Sequence, residues 1–196
     1  MIAIVDYGAG NITSVKRAVE HLGHPSVVTS DPAVIETSDR IIVPGVGNFQ
    51  ATTVLSANGL AEALDRQISF GKPLLGICLG MQWLFERSEE APGIRGLGAL
   101  GGACRSLSPG VKSPHVGWDQ LEIRGQTRLL RGIGSGVFVY FTHGYCAPVV
   151  DATVATCHYG YPFSAVVERD NLFGVQFHPE KSGETGLAIL ENFCLC

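Results

Sequence analysis

Short apolar runs alternating with helical patterns fill the first half of this chain, and that alternation restricts its fold more than any other feature. Met1 to Val5 reads as a buried strand. After the loop Asp6-Tyr7-Gly8-Ala9-Gly10-Asn11, Ile12, Val15, Val19 and Leu22 line one face of a helix, which Gly23 ends as a C-cap. Ser26 to Thr29 predicts a second strand, and Asp31-Pro32 opens a short helix with an N-cap and a proline at its first position. Arg40 to Val43 is a third strand, broken by Pro44-Gly45-Val46-Gly47-Asn48-Phe49. Gly59 to Phe70 is helical, with Leu60, Leu64 and Ile68 on its buried side, and Pro73 to Ile77 is a fourth strand. Strands alternating with helices in this way pair in parallel, carry helices on their faces and bind ligands beyond their carboxyl ends.

The texture changes after Glu89-Glu90. A glycine-rich stretch, Ala91 to Gly102, leads into short β-like segments separated by turns: Asp119 to Ile123, Val137 to Phe141, Val154 to Thr156, Phe163 to Glu168 and Leu172 to Phe177. Gly186 to Cys194 closes the chain as a helix. The expectation is a single α/β domain over residues 1–196. It has a flavodoxin-like, mostly parallel sheet with helices on both faces, and an antiparallel or mixed extension in the C-terminal half.

Cys78 stands where the fourth strand turns into a helix patterned by Leu79, Trp83 and Leu84, with Gly76 two residues before it and Gly80 two after. A side chain on so sharp a turn is pushed out of the sheet, in the manner of a nucleophile elbow. A helix starting there offers free N–H groups that favour a thiolate and hold a developing oxyanion. Cysteine is also among the most buried residue types, so core packing and nucleophile both stand until a base is found.

Several function classes drop out. The formal net charge is -4 and no basic run stands out, which gives no footing for nucleic acid. No stretch has the apolar length of a membrane span, and Met1-Ile2-Ala3-Ile4-Val5 lacks the basic flank and length of a signal peptide, so a cytoplasmic protein is expected. The glycines at 8 and 10 would need a third at 13 for a dinucleotide fingerprint, and position 13 is threonine. The six cysteines show neither C-x-x-C nor zinc-ligand spacing, so no metal site is expected, and Cys194-Leu195-Cys196 reads as a frayed, partly exposed tail.

Of the six histidines, His21 and His24 flank a helix end and are expected in solvent, His115 in a loop and His158 in a turn. His143 and His178 each follow an apolar strand directly. His178-Pro179-Glu180 adds a locked φ and a carboxylate two positions on, which fixes an imidazole's tautomer and steadies its charged form. No acid follows His143 closely, so His178 is the favoured base. A cysteine, a histidine and a glutamate at strand ends are suited to acyl transfer.

Gly76-Ile77-Cys78-Leu79-Gly80-Met81-Gln82 together with Gln176-Phe177-His178-Pro179-Glu180 resembles the class I, triad-type glutamine amidotransferases. Further stretches, Asp6-Tyr7-Gly8-x-Gly10-Asn11, Pro44 to Gly47, Pro114-His115-Val116-Gly117-Trp118, Tyr159 to Phe163 and Lys181-Ser182, are similar to the glutaminase subunits of imidazole glycerol phosphate synthases. The resemblance implies Cys78 as nucleophile, His178 as acid and base, and Glu180 as its orienter. It implies that L-glutamine is hydrolysed to glutamate and ammonia without a cofactor, and that the ammonia passes to a (β/α)8-barrel cyclase subunit, the two forming a heterodimer in histidine biosynthesis. By motif position, Gln82 and Glu90 hold the amino-acid end of glutamine, with backbone near Thr142 and His143. Leu79 N–H is one oxyanion donor, and the Val46 or Gly47 peptide supplies the second after reorienting. Asn11, Trp118 and Lys181 face the cyclase, with a core position as the other reading of Trp118. Asn48, where alanine is common, and Thr142-His143-Gly144-Tyr145 depart from the usual pattern. The alternatives are the glutaminase of an anthranilate- or guanylate-type synthase, which fits residues 114–118 and 159–163 poorly, a cysteine hydrolase of another α/β family, and a catalytically silent regulatory subunit, against which the complete triad argues.

Overall fold

The computed structural model describes residues 1–196. The first half runs β1 (Ile2–Val5), α1 (Ile12–His21), β2 (Ser26–Thr29), α2 (Pro32–Thr37), β3 (Arg40–Val43), α3 (Thr53–Ala57), α4 (Leu60–Ser69), β4 (Leu74–Ile77) and α5 (Leu79–Trp83). The second half runs β5 (Phe85–Ser88), β6 (Leu100–Ser106), β7 (His115–Gln120), β8 (Glu122–Ile123), β9 (Phe138–His143), β10 (Tyr145–Cys146), β11 (Thr153–Tyr159), β12 (Tyr161–Arg169), β13 (Leu172–Val175) and α6 (Gly183–Cys194).

Eight strands form one sheet in the order β2-β1-β3-β4-β13-β12-β11-β8. From β2 to β13 all neighbours are parallel, the order of a flavodoxin-like doubly wound sheet. From β13 outward through β12, β11 and β8 they are antiparallel. Alternation along the strands explains the two helical layers, since successive side chains point to opposite faces. Ile4, Ile42, Leu75 and Ile77 join α1 and α6 on one side. Ala3, Val5, Ile41, Val43 and Leu74 meet α2, α3 and α4 on the other. Parallel strands covered on both faces read as unbroken apolar runs, as these do.

Several expectations need correction. Of the C-terminal segments, β9 does not extend the main sheet: it pairs antiparallel with β7 as a separate two-stranded ribbon. β5, β6 and β10 form a further small sheet, in a stretch too rich in glycine and polar residues to show a strand period. His115 begins β7 and is buried, stacked between Phe141 and Tyr159, and His158 is an exposed residue within β11. His24 pairs with Glu191 at 2.9 Å and is only partly exposed. The C-terminal tail is not frayed. Cys194 is buried in α6, and the Cys196 carbonyl accepts from the Arg40 guanidinium. No helix is long and apolar enough to cross a membrane.

The carboxyl ends of β1, β3, β4 and β13 lie side by side through their parallel register. The loops that leave them are residues 6–11, residues 44–48, Cys78, and residues 176–178. All four are stretches in which the sequence places unusual chemistry.

Candidate active site

Cys78 has φ 52° and ψ -106°, an uncommon conformation for a residue with a side chain. It is held there from both sides. Its N–H continues the ladder to the Val175 carbonyl at 2.8 Å, and its carbonyl accepts the first helical bond of α5 from Gln82 N at 3.0 Å. The flanking glycines let α5 sit directly on the sheet. A Cβ at Gly80 would lie 1.8 Å from the Val43 carbonyl oxygen, and one at Gly76 would lie 2.7 Å from the Gly80 backbone. Their role is therefore close approach of helix to strand, more than clearance around the sulfur. α5 is a single turn, because the chain enters β5 at Phe85. With so few aligned peptides its dipole is small, and the individual N–H groups matter more.

The second element is the exit of β13. The His178 N–H donates to the Tyr140 carbonyl at 2.9 Å, and the His178 carbonyl accepts from Ser182 Oγ at 2.6 Å. Ser182 Oγ in turn accepts from the Tyr140 N–H at 2.9 Å. Pro179 to Lys181 forms a 3-10 turn that brings the Glu180 carboxylate back over the ring, with Oε1 2.7 Å from His178 Nδ1. Asn11 Nδ2 donates to the same carboxylate oxygen. Asn11 stands at the N-cap position of α1 with φ 69° but makes no capping bond, because its amide is used on Glu180. The sequence reading turned Asn11 toward a partner; its side chain runs inward.

Burial works against a charge on His178, but the neighbouring Cys78 sulfur and the Glu180 carboxylate outweigh it and raise the imidazole to about 9. Nε2 is buried and lacks an aligned hydrogen bond, yet it is close enough to Cys78 for the sulfur's charge to act on the ring. His143 has the opposite fate. Burial, and then the nearby His115 and His178, press it down to about 3, against the Tyr145 carbonyl that bonds its Nδ1 at 3.0 Å.

Cys78 opens on a cavity of about 40 Å³, room for a few waters. Gly47, Leu79, Gln82, Glu90, Thr142 and His143 all line it. Residues as far apart in the chain as Gly47 and His143 are thus gathered beside one sulfur. Leu79 N–H already has an acceptor, the Gly45 carbonyl at 3.3 Å. A trans peptide points its C=O and N–H in opposite directions. With the Gly45 carbonyl turned to Leu79, the Val46 N–H of the same peptide is turned away. Glu90 Oε2 accepts from Phe49 N at 2.7 Å, tying the end of this loop down. Sequence reasoning assigned nothing to Gln176, which is wholly buried and donates from Nε2 to Cys78 Sγ at 3.6 Å. The available signal was a lone amide inside the apolar run Leu172 to Phe177.

The profile of the family described as "Glutamine amidotransferase class-I" matches residues 3–196. The chain belongs to that family. As a class-I glutamine amidotransferase it is 49% identical over 195 residues to the imidazole glycerol phosphate synthase subunit HisH of Bacillus cereus, covering 98% of this chain and 93% of that protein. It is 46% identical over 194 residues to the HisH subunit of Methanothermobacter thermautotrophicus, covering 98% and 97%. Among solved structures, it superposes on a glutamine amidotransferase with a TM-score of 0.78 at 20% identity, covering 99% of this chain and 100% of that one. PurLQS from Thermotoga maritima gives a TM-score of 0.77 at 21% identity, covering 99% and 97%. These two likenesses support the amidotransferase fold.

The three residues read as partner-facing fall into two groups. Trp118 is 54% exposed, which removes the core reading, and lies edge-on to Tyr140 at 5.9 Å. Lys181 is exposed, with Nζ 6.0 Å from the Tyr140 ring centre. In the β7–β9 register Trp118 faces Tyr140, and Val116 and Phe138 lie on the same outward side, 56% and 53% exposed. These three side chains form an exposed apolar patch on one face of the ribbon. Asn11 stands apart from it.

Proposed function

We propose that this chain is the glutaminase subunit of an imidazole glycerol phosphate synthase, hydrolysing L-glutamine and delivering ammonia to a (β/α)8-barrel cyclase with which it forms a heterodimer in the cytoplasm. The observation that carries this reading is the His178–Glu180 pair set against Cys78, in a chain matched over 98% of its length by HisH subunits. The synthase activity serves L-histidine biosynthesis.

In this reading the Cys78 thiolate attacks the side-chain carbonyl carbon of glutamine. The oxyanion is held by Leu79 N–H and the Val46 or Gly47 peptide. His178 gives the proton on Nε2 to the leaving nitrogen, the C–N bond breaks and ammonia departs. Water then adds to the thioester as His178 takes its proton, and glutamate leaves with the thiol restored. Glu180, itself held by Asn11, keeps the imidazole oriented. Gln82 and Glu90 take the amino-acid end of glutamine beside the Thr142–His143 backbone.

The Gly45 carbonyl must leave Leu79 before this hole is complete, and we assign control of that turn to the cyclase, docking on the face that carries Trp118 and Lys181. The test is glutamate release by the chain alone and mixed with a cyclase subunit carrying its ligand. Activity is expected chiefly in the mixture. Cys78→Ala lowers it by at least about 10⁴-fold. Val46→Pro, which removes one N–H, costs about 10²- to 10³-fold. Trp118→Ala weakens cyclase binding by about 30-fold, as loss of a buried aromatic anchor does. Equal turnover with and without the cyclase overturns the control step, and activity in Cys78→Ala overturns the nucleophile.

A further inference from the structure

A chain of buried amides ends at the nucleophile, and its direction is fixed at the far end. The Tyr145 carbonyl can only accept a hydrogen bond, and Gln82 Nε2 donates to it at 2.7 Å. Gln82 therefore has its NH₂ group inward, and its second N–H goes to Gln176 Oε1 at 3.1 Å. With its oxygen so used, Gln176 must present its own NH₂ to Cys78 Sγ, at 3.6 Å. Neither amide can flip without setting donor against donor or oxygen against oxygen. Gln176 is fully buried and Gln82 nearly so, so water does not replace any of these bonds.

On the backbone side the sulfur meets the Thr142 carbonyl at 3.9 Å. That oxygen accepts from an S–H and repels a thiolate. An amide N–H does the reverse, because ionised acceptors draw stronger hydrogen bonds than neutral ones. The two groups thus favour opposite protonation states of one side chain. We infer that Gln176 is a positioning residue that donates to the Cys78 sulfur, holding it as thiolate against the Thr142 carbonyl, and that Gln82 keeps Gln176 in the donating orientation. Gln82 also lines the cavity, so the residue read as holding substrate is hydrogen-bonded to the one that steadies the nucleophile. This deepens the reading of Cys78 as nucleophile and rests on it.

The experiment is the rate of Cys78 alkylation by iodoacetamide from pH 5 to 10 in the full chain without a partner. Modification is followed on the Cys78 peptide by mass spectrometry, which separates it from the other five cysteines. Gln176→Met keeps the volume and removes the donor. On the acid side of the profile its alkylation is expected to fall about tenfold, with the whole profile moved to higher pH by about one unit. A thermal unfolding curve shows whether the variant folds. If it does not, the wild-type chain supplies the readout: the side-chain amide protons of Gln176, followed by NMR, are expected to shift with pH in step with the alkylation profile. An unchanged profile in a folded Gln176→Met, or amide protons indifferent to pH across the range in which Cys78 becomes reactive, overturns the inference. Because glutamine is absent from these measurements, they stand apart from the glutaminase test. An altered thiol profile in a chain that releases no glutamate with any cyclase would uphold Gln176 and defeat the proposed function.

Discussion

His143 and His178 are both buried, both follow an apolar strand and both lie near Cys78, yet their surroundings give them opposite chemistry. His178 meets a carboxylate on one nitrogen and the sulfur's charge on the other side of the ring, and its proton is held to about 9. His143 meets a backbone carbonyl on Nδ1 and the rings of His115, Phe141 and Phe163, with Nε2 buried and unpartnered, and it stays neutral down to about 3. Neighbours, more than burial, decide whether an imidazole is a proton carrier or an aromatic wall. Both rings are desolvated; only one has an anion to offset it.

The sharpest way to break this contrast is to remove each ring. His178→Gln is expected to lower kcat/KM for glutamine by about 10⁴-fold, and His143→Gln by less than about tenfold, measured in the complex with the cyclase. Similar losses from both would mean that the two sites are not distinct. Next in size, Glu180→Gln takes away the carboxylate that His143 lacks. It is expected to cost about 10²-fold in activity and to bring the His178 titration, followed by NMR, down toward the ordinary histidine value of about 6.5. Asn11→Ala removes only the amide behind that carboxylate, and about a tenfold loss is expected.

Stability against pH gives the smallest effects, with signs that differ between the two rings. For His143 the unfolded chain takes up a proton below about 6.5, while the folded chain resists until about 3. Folding stability therefore falls as pH drops through that window, by up to about 1.4 kcal/mol per unit, and His143→Gln flattens the slope. For His178 the folded pKa is the higher one, so its contribution is complete below about 6.5 and is lost as pH rises through about 9. Urea midpoints at pH 4, 5, 7 and 9.5 for the two variants test both signs.

Much of the parallel half was legible in the sequence because its strands are buried on both faces and announce themselves as apolar runs. The pairing of His178 with Glu180 was legible for a local reason: a single intervening residue, a proline, leaves a carboxylate few places to go. The ribbon of β7 and β9 was not, since one of its faces is exposed and apolar, and Val116, Trp118 and Phe138 break the inside–outside alternation that marks a half-buried strand. Nor was the inward turn of Asn11, which the family pattern turned toward the cyclase. His115 looked like a loop residue because Pro114 precedes it, and only the stacking of Phe141 and Tyr159, 26 and 44 residues further on, gives it a core position. Contacts set by distant segments leave little trace in local pattern.

The Gly45 carbonyl on Leu79 N–H has a kinetic meaning as well. It is an amide oxygen bound where glutamine's own amide oxygen is proposed to sit, and it is tethered to the site by the chain. A tethered competitor does not dilute away, and its occupancy of the site is set by the loop's own equilibrium. On the proposed reading, what matters is the free-energy difference between two settings of one loop, and a ligand that binds the open setting better switches the enzyme on without approaching the sulfur. Idle loss of ammonia is then limited by how rarely the loop opens unaided.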